Sequence, residues 1–188
     1  MRFLYLHKLL FINMSMWKQN TWLMFHLISK NFDEQYASKY EDFFNSFRSA
    51  IPCSICRKHY NQNISSPGML VAENMNNDRI FNWTIDLHNS VNKMHNKRQW
   101  EYGVANNIYN TQLRFDTIKM FIYEYFFYNF KRGPDKTEGL FKMLNSLAYV
   151  YPDKNIRDKL IDFTSKFQLT RDSSKKWLYA YMLIIKNR

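Results

Sequence analysis

Apolar residues recur at three- and four-residue steps along most of this chain, a period that only helices turn into a single buried face. Tyr36, Tyr40, Phe43, Phe44 and Phe47 predict one helix over about residues 34–49. Ile80, Trp83, Leu87, Val91 and Met94 form the apolar face of another. Near the C-terminus, three more stripes follow: Leu140, Leu144, Leu147 and Tyr151; Ile156, Leu160, Phe163 and Phe167; and Trp177, Tyr181 and Ile184. Asp172 and Ser173 are capping candidates for the last. Phe115 to Phe130 is a further apolar stretch, broken by Gly133-Pro134. Punctuation is scarce, with four glycines and four prolines in 188 residues. Ser65-Ser66-Pro67-Gly68 reads as a turn, and Asn74 to Asp78 as a polar loop ending in a helix cap. There is no convincing strand, internal repeat or low-complexity tract, so the expected class is all-α.

A chain of this length suits one ordinary domain, or one small domain with an appended subdomain. Residues 1–13, MRFLYLHKLLFIN, are apolar but interrupted by His7 and Lys8. They are too short to span a bilayer, and no small-residue cleavage site follows them. Ile118 to Phe130 is again too short and carries Glu124. The expectation is a soluble protein without a membrane span, with residues 1–13 as an N-terminal extension and Met14 or Met16 as alternative translation starts. The net charge of +11 and the abundant aromatics raise a second class, a basic helical nucleic-acid-binding protein. Its lysines and arginines are scattered, however, without a dense run or a recognised binding motif. Solubility, or steering toward an acidic partner, accounts for such a charge equally well.

The chemistry concentrates in the only two cysteines, Cys53-Ser-Ile-Cys56. Ile51-Pro52 ends the preceding helix, and Pro52 is expected at the first position of the next, which places the pair at a helix N-terminus. As half of a zinc site the pair would need His59 with His88 or His95. Cys-x2-Cys-x2-His crowds three ligands, and the histidines lack the usual three-to-five-residue gap, so no metal is expected. As a redox pair it makes physical sense: N-terminal amides stabilise a thiolate, Arg57, Lys58 and His59 add positive field, and the spacing closes a reversible disulfide. A thioredoxin-like host needs strands. A redox pair in an all-helical chain needs a different electron acceptor, which points to a cofactor.

Three further elements surround that pair. Trp22 and His26 lie at i and i+4 on one face of the first predicted helix, while His88, Asn92 and His95 run beside the apolar face of the Ile80–Met94 helix, with Asn89 and Lys93 alongside. Singly, Trp22 and Trp83 read as core, Trp100 as core or a surface aromatic, and His26 and His88 as satisfied buried groups. In order they read Trp22-Leu-Met-Phe-His26, Pro52-Cys53-Ser-Ile-Cys56, and Trp83-Thr-Ile-Asp-Leu-His88-Asn89-Ser-Val91-Asn92. The series resembles the Erv/ALR sulfhydryl oxidases over about Trp17 to Tyr109, most closely the short forms encoded by large cytoplasmic DNA viruses.

That resemblance implies a bundle of four helices plus a short fifth enclosing FAD, here over residues 14–112, with residues 113–188 an additional C-terminal helical region. It implies an FAD-dependent thiol oxidase that passes electrons from protein dithiols to O2, giving H2O2. Cys56 is implied as the flavin-proximal cysteine and Cys53 as the one that exchanges with substrate. The implied cofactor-binding residues are Trp22, His26, His59, Trp83, His88, Asn89, Val91, Asn92, Lys97, Trp100 and Tyr109, with Trp17 at the entry to the site. The implied partners are a thiol-containing substrate protein, of which a thioredoxin-like carrier is one type, and a second copy in a homodimer. Host cytoplasm or virion is the implied location, and no nucleic acid is expected as a partner. Two departures stand out. Lys18-Gln19 replace the Gly-Pro common after the first tryptophan, and the family's second, shuttle cysteine pair and structural disulfides are missing. The C-terminal region lies outside the resemblance; thickening the bundle, forming a dimer contact and docking the thiol partner are all open roles for it.

Overall fold

The structure, a computed structural model, describes residues 19–68, 70–111, 118–123, 137–170 and 172–186. Every regular element among them is helical. We label the helices α1 (19–30), α2 (Ala37–Ala50), α3 (Ser54–Asn63), α4 (Asn77–Met94), α5 (Tyr102–Thr111), α6 (118–123), α7 (Thr137–Val150), α8 (Lys154–Lys166) and α9 (Ser174–Lys186). Two 3-10 turns, Glu34–Tyr36 and Ala72–Asn74, lead into α2 and toward α4. No helix among the described residues is long and apolar enough to cross a membrane. Trp17, Lys18 and the Gly133-Pro134 break lie outside the described residues.

The expected 34–49 helix divides at its start. Asp33 caps the 3-10 turn by accepting from Gln35 N, and the α-helical ladder begins only at Ala37. Its end follows the proline argument: Ile51, φ −61° and ψ 118°, is extended, as a residue before proline must be. Pro52 itself is not the first helical residue. Cys53 is the N-cap of α3, so Pro52 stands one position outside it. The expected Asn74–Asp78 loop resolves into the 3-10 turn and an Asn76 cap whose side chain accepts from Arg79 N.

The predicted core faces are buried where helices oppose them and fade where they do not. Ile80, Trp83 and Leu87 are buried, but Val91 is half-buried and Met94 exposed in the last turn of α4. Phe167 is exposed past the end of α8, and Ile185 rather than Ile184 continues the buried face of Trp177 and Tyr181 on α9.

Phe25 of α1 is the hub of the core, edge-on to Phe47 and Phe44 with centroids 4.7 and 5.1 Å away. The same continuous core takes in Leu140, Leu144 and Leu147 of α7, Leu160 of α8 and Tyr181 of α9. Of the three open roles, the C-terminal helices thereby thicken the bundle. Gly139 makes this approach possible: a Cβ there would lie 2.4 Å from Ser49 Oγ and 2.9 Å from Ala50 N. Arg157 of α8 ties the layer back to the α1–α2 connection through Asp33 Oδ2 at 2.5 Å, while also donating to Tyr151 O.

Candidate redox and cofactor site

The cysteines occupy the first turn of α3. Cys53 Sγ accepts from Cys56 N at 3.3 Å, and the two sulfurs stand 2.7 Å apart. A movement of well under 1 Å brings them to the ~2.05 Å of a disulfide. An amide aimed at Cys53 Sγ, together with the positive end of the helix, favours a thiolate there. Arg57 donates to Ile51 O at 2.6 Å, fixing its guanidinium on the turn that carries the pair. Tyr60 anchors the rest of α3, buried against Phe25 and Phe47 with its hydroxyl on Phe44 O.

One ring beyond Phe25, Trp22 lies over a pair of histidines. Its indole stacks on His88 at 4.1 Å and 3°. His26 and His88 meet edge to edge, Nε2 to Nδ1, at 3.1 Å. Thr84 donates to Phe81 O at 2.7 Å, which leaves its oxygen to accept from His26 Nδ1 at 2.9 Å. The direction of this network assigns the tautomers: His26 carries its proton on Nδ1, and His88 donates from Nδ1 into His26 Nε2. His88 Nε2 is then an acceptor. Both rings are neutral at ordinary pH. Burial, and then the neighbouring His88, push the fully buried His26 well below its usual pKa. Burial, aided by the positive charge of Lys97, lowers His88 to about 4.

The segment after α4 folds back over this pair. Asn89 and the Trp100 backbone exchange two hydrogen bonds, Nδ2 to O at 2.9 Å and N to Oδ1 at 2.7 Å. Asn92 donates to Arg98 O, its own carbonyl accepts from Lys97 N, and Asn96 makes the turn at φ 53°. Asparagine in these positions is therefore a backbone clasp that sets Lys97 and Trp100 beside His88. The Trp100 ring is 6.5 Å from His88, and Tyr109 of α5 covers His26 at 4.7 Å.

The structure thus gathers Trp22, His26, His88, Asn89, Asn92, Lys97, Trp100 and Tyr109 into one region. His59 stands apart from that network, its ring 5.5 Å from His95. Trp83 faces α2 instead, 5.1 Å from Phe44, with its indole donating to Gly68 O. Val91 is half-buried. Sequence reasoning missed Thr84 and Ser29, which complete the polar contacts around His26. Thr84 lies four residues before His88, on the same helical face, and that spacing was the available signal. Among the described residues no group of three or more His, Cys, Asp or Glu is placed to hold a metal.

The donor set fits a flavin dinucleotide. Trp22 is only half-buried, so it has an indole face on which a flat ring can lie. Neutral imidazoles supply hydrogen-bonding groups without negative charge. Lys93, Lys97 and Arg98 supply exposed cations for a diphosphate, with no acidic residue between Asp86 and Glu101.

A family model described as the Erv1 / Alr family matches residues 19–114. A protein of Acanthamoeba polyphaga mimivirus, described as "Probable FAD-linked sulfhydryl oxidase", is 28% identical over 93 residues, covering 47% of this chain and 65% of its own length. FAD-linked sulfhydryl oxidases of two African swine fever virus isolates, from Kenya and Malawi, are each 29% identical over 102 residues, 52% of this chain and 82% of theirs. No solved structure matches the chain significantly. The family match runs from α1 to just past α5, through every helix that carries the cysteines, the stacked histidines and the asparagine clasp, and the chain belongs to the Erv1/Alr family.

Proposed function

We propose that this chain is an FAD-linked sulfhydryl oxidase that makes disulfides in other proteins through Cys53 and Cys56. The observation that carries the reading is the cysteine pair itself, 2.7 Å apart at the cap of α3 and packed on the same core as Trp22. The names of the mimivirus and African swine fever virus relatives support it.

With the pair oxidised, a partner thiolate attacks Cys53 Sγ and Cys56 leaves as the thiolate. The partner's second thiol then displaces Cys53, so the partner loses two electrons and the pair becomes a dithiol. Cys53, the cap residue next to exposed Ser54 and Ile55, is the exchanging cysteine; Cys56 is the cofactor-facing one. FAD, when bound, would supply the two-electron acceptor for the Cys53–Cys56 dithiol, with O2 as final oxidant and H2O2 as product. Trp22, His26, His88, Trp100 and Tyr109 would hold and orient it, Asn89 and Asn92 fix the segment beside it, and Lys97 would supply a cation for its diphosphate. His59 and Trp83 lie outside this cluster, beside His95 and Phe44 respectively, and Val91 is half-buried on α4. The substrate is a protein dithiol, such as that of a thioredoxin-like carrier, met without an internal shuttle pair. The reading includes a homodimer and a soluble location in host cytoplasm or virion.

The test is an absorption spectrum with an oxygen electrode. Purified protein should be yellow and should consume O2 when given dithiothreitol; Cys56→Ser should stay yellow and lose turnover. A colourless protein with salt-dependent DNA binding would replace this reading with the nucleic-acid one.

A further inference from the structure

We infer that the face of α3 around Cys53 selects acidic protein dithiols that carry an apolar residue beside the reactive cysteine; the inference rests on the oxidase reading. Ile55, between the two cysteines, is 65% exposed, an unusual state for isoleucine and one that leaves an apolar side chain open to a partner on the turn that carries the exchanging cysteine. Lys58 is exposed one turn later on the same stripe. No acidic residue occurs between Asp42 and Glu73, or between Asp86 and Glu101. Those two stretches contribute Arg48, Arg57, Lys58, Lys93, Lys97 and Arg98.

Packing brings the segments that carry these cations together. Asn61 donates to Arg48 O, joining α3 to the last turn of α2. Asn63 meets Met94, and His59 meets His95, joining α3 to the end of α4. The ion pairs among the described residues lie elsewhere, on α2, α7 and α8 and between Arg157 and Asp33. Among the described residues, no ion pair neutralises the positive charge around α3. Such a field steers an acidic partner and repels a basic one, and it acts before the thiolate attacks Cys53 and Cys56 departs.

The test compares three reductants with the flavin-loaded protein in an oxygen electrode: dithiothreitol, and two peptides sharing one Cys-x-x-Cys core, flanked by Asp/Glu or by Lys/Arg. At about 20 mM salt the acidic peptide should show a kcat/KM about tenfold higher, and the gap should close near 200 mM as screening sets in. Lys58→Glu with Arg48→Glu, both away from the residues assigned to the cofactor, should shrink or reverse the ratio between the peptides. Ile55→Ser should lower kcat/KM about threefold for a peptide with leucine beside its reactive cysteine, relative to one with serine there. Equal rates for the two peptides at low salt, or a ratio untouched by the charge reversals, would overturn the inference while leaving the oxidase reading intact. No oxygen uptake even with dithiothreitol would overturn both.

Discussion

The neutral histidine pair makes the fold sensitive to mild acid, and the size of that effect can be worked out. His88 titrates near 6.5 in the unfolded chain and about 4 in the folded one. A histidine lowered by folding contributes stability that is fully present above its unfolded pKa and is lost as pH falls toward its folded value. Each pH unit inside that window removes about 1.4 kcal/mol, so going from pH 7 to 5 costs about 2 kcal/mol through His88 alone. His26 shifts in the same direction and adds to the loss. The main cause is burial, which penalises the charged form of both rings; in addition, His26 Nε2 already accepts from His88 Nδ1, so a proton added to His26 has no acceptor there. Urea titrations at pH 7, 6 and 5 read the effect directly. His88→Asn, which keeps an amide donor toward His26, should lose about 2 kcal/mol less than the parent between pH 7 and 5. With a typical slope this is a difference of about 1 M in midpoint. Equal pH dependence in parent and variant would refute the buried, neutral His88.

Two other substitutions probe how the C-terminal layer is attached. Gly139→Ala forces a methyl against Ser49 and the Ala50 amide, so α7 must lift from α2; thermal unfolding should show about 1–3 kcal/mol lost and a Tm several degrees lower, and an unchanged Tm would deny the close approach. Arg157→Met leaves Asp33 without its cation and should cost about 2–4 kcal/mol by urea denaturation. Adding Asp33→Asn should recover part of that loss, and strict additivity of the two changes would show that the pair is not coupled.

The helices and the chemical centre were readable from local pattern, because both depend on residues close in sequence. A stripe such as Tyr40, Phe43, Phe44 and Phe47 declares its buried face through the 3.6-residue period alone, and a CxxC places two sulfurs on one turn whatever surrounds it. Boundaries were less legible: Pro52 suits either the first helical position or the one before the cap, and the competing bond from Cys56 N to Cys53 Sγ decided it. Stripes also overstated burial at Met94 and Phe167, which lie at or just past a helix end and stay exposed.

Sequence pattern alone therefore specified an all-helical chain with a redox cysteine pair, and the order of its tryptophan, histidine and asparagine motifs pointed to the flavin family. Contacts between distant residues decided the rest. Only packing could show that His26 is neutral and donates to Thr84 58 residues away, that Asn89 holds the Trp100 backbone, and that α7 closes on α2 over Gly139. Protonation state, tautomer and close approach depend on what excludes water from a group and which partner meets it, and neither is encoded in the spacing of neighbours along the chain.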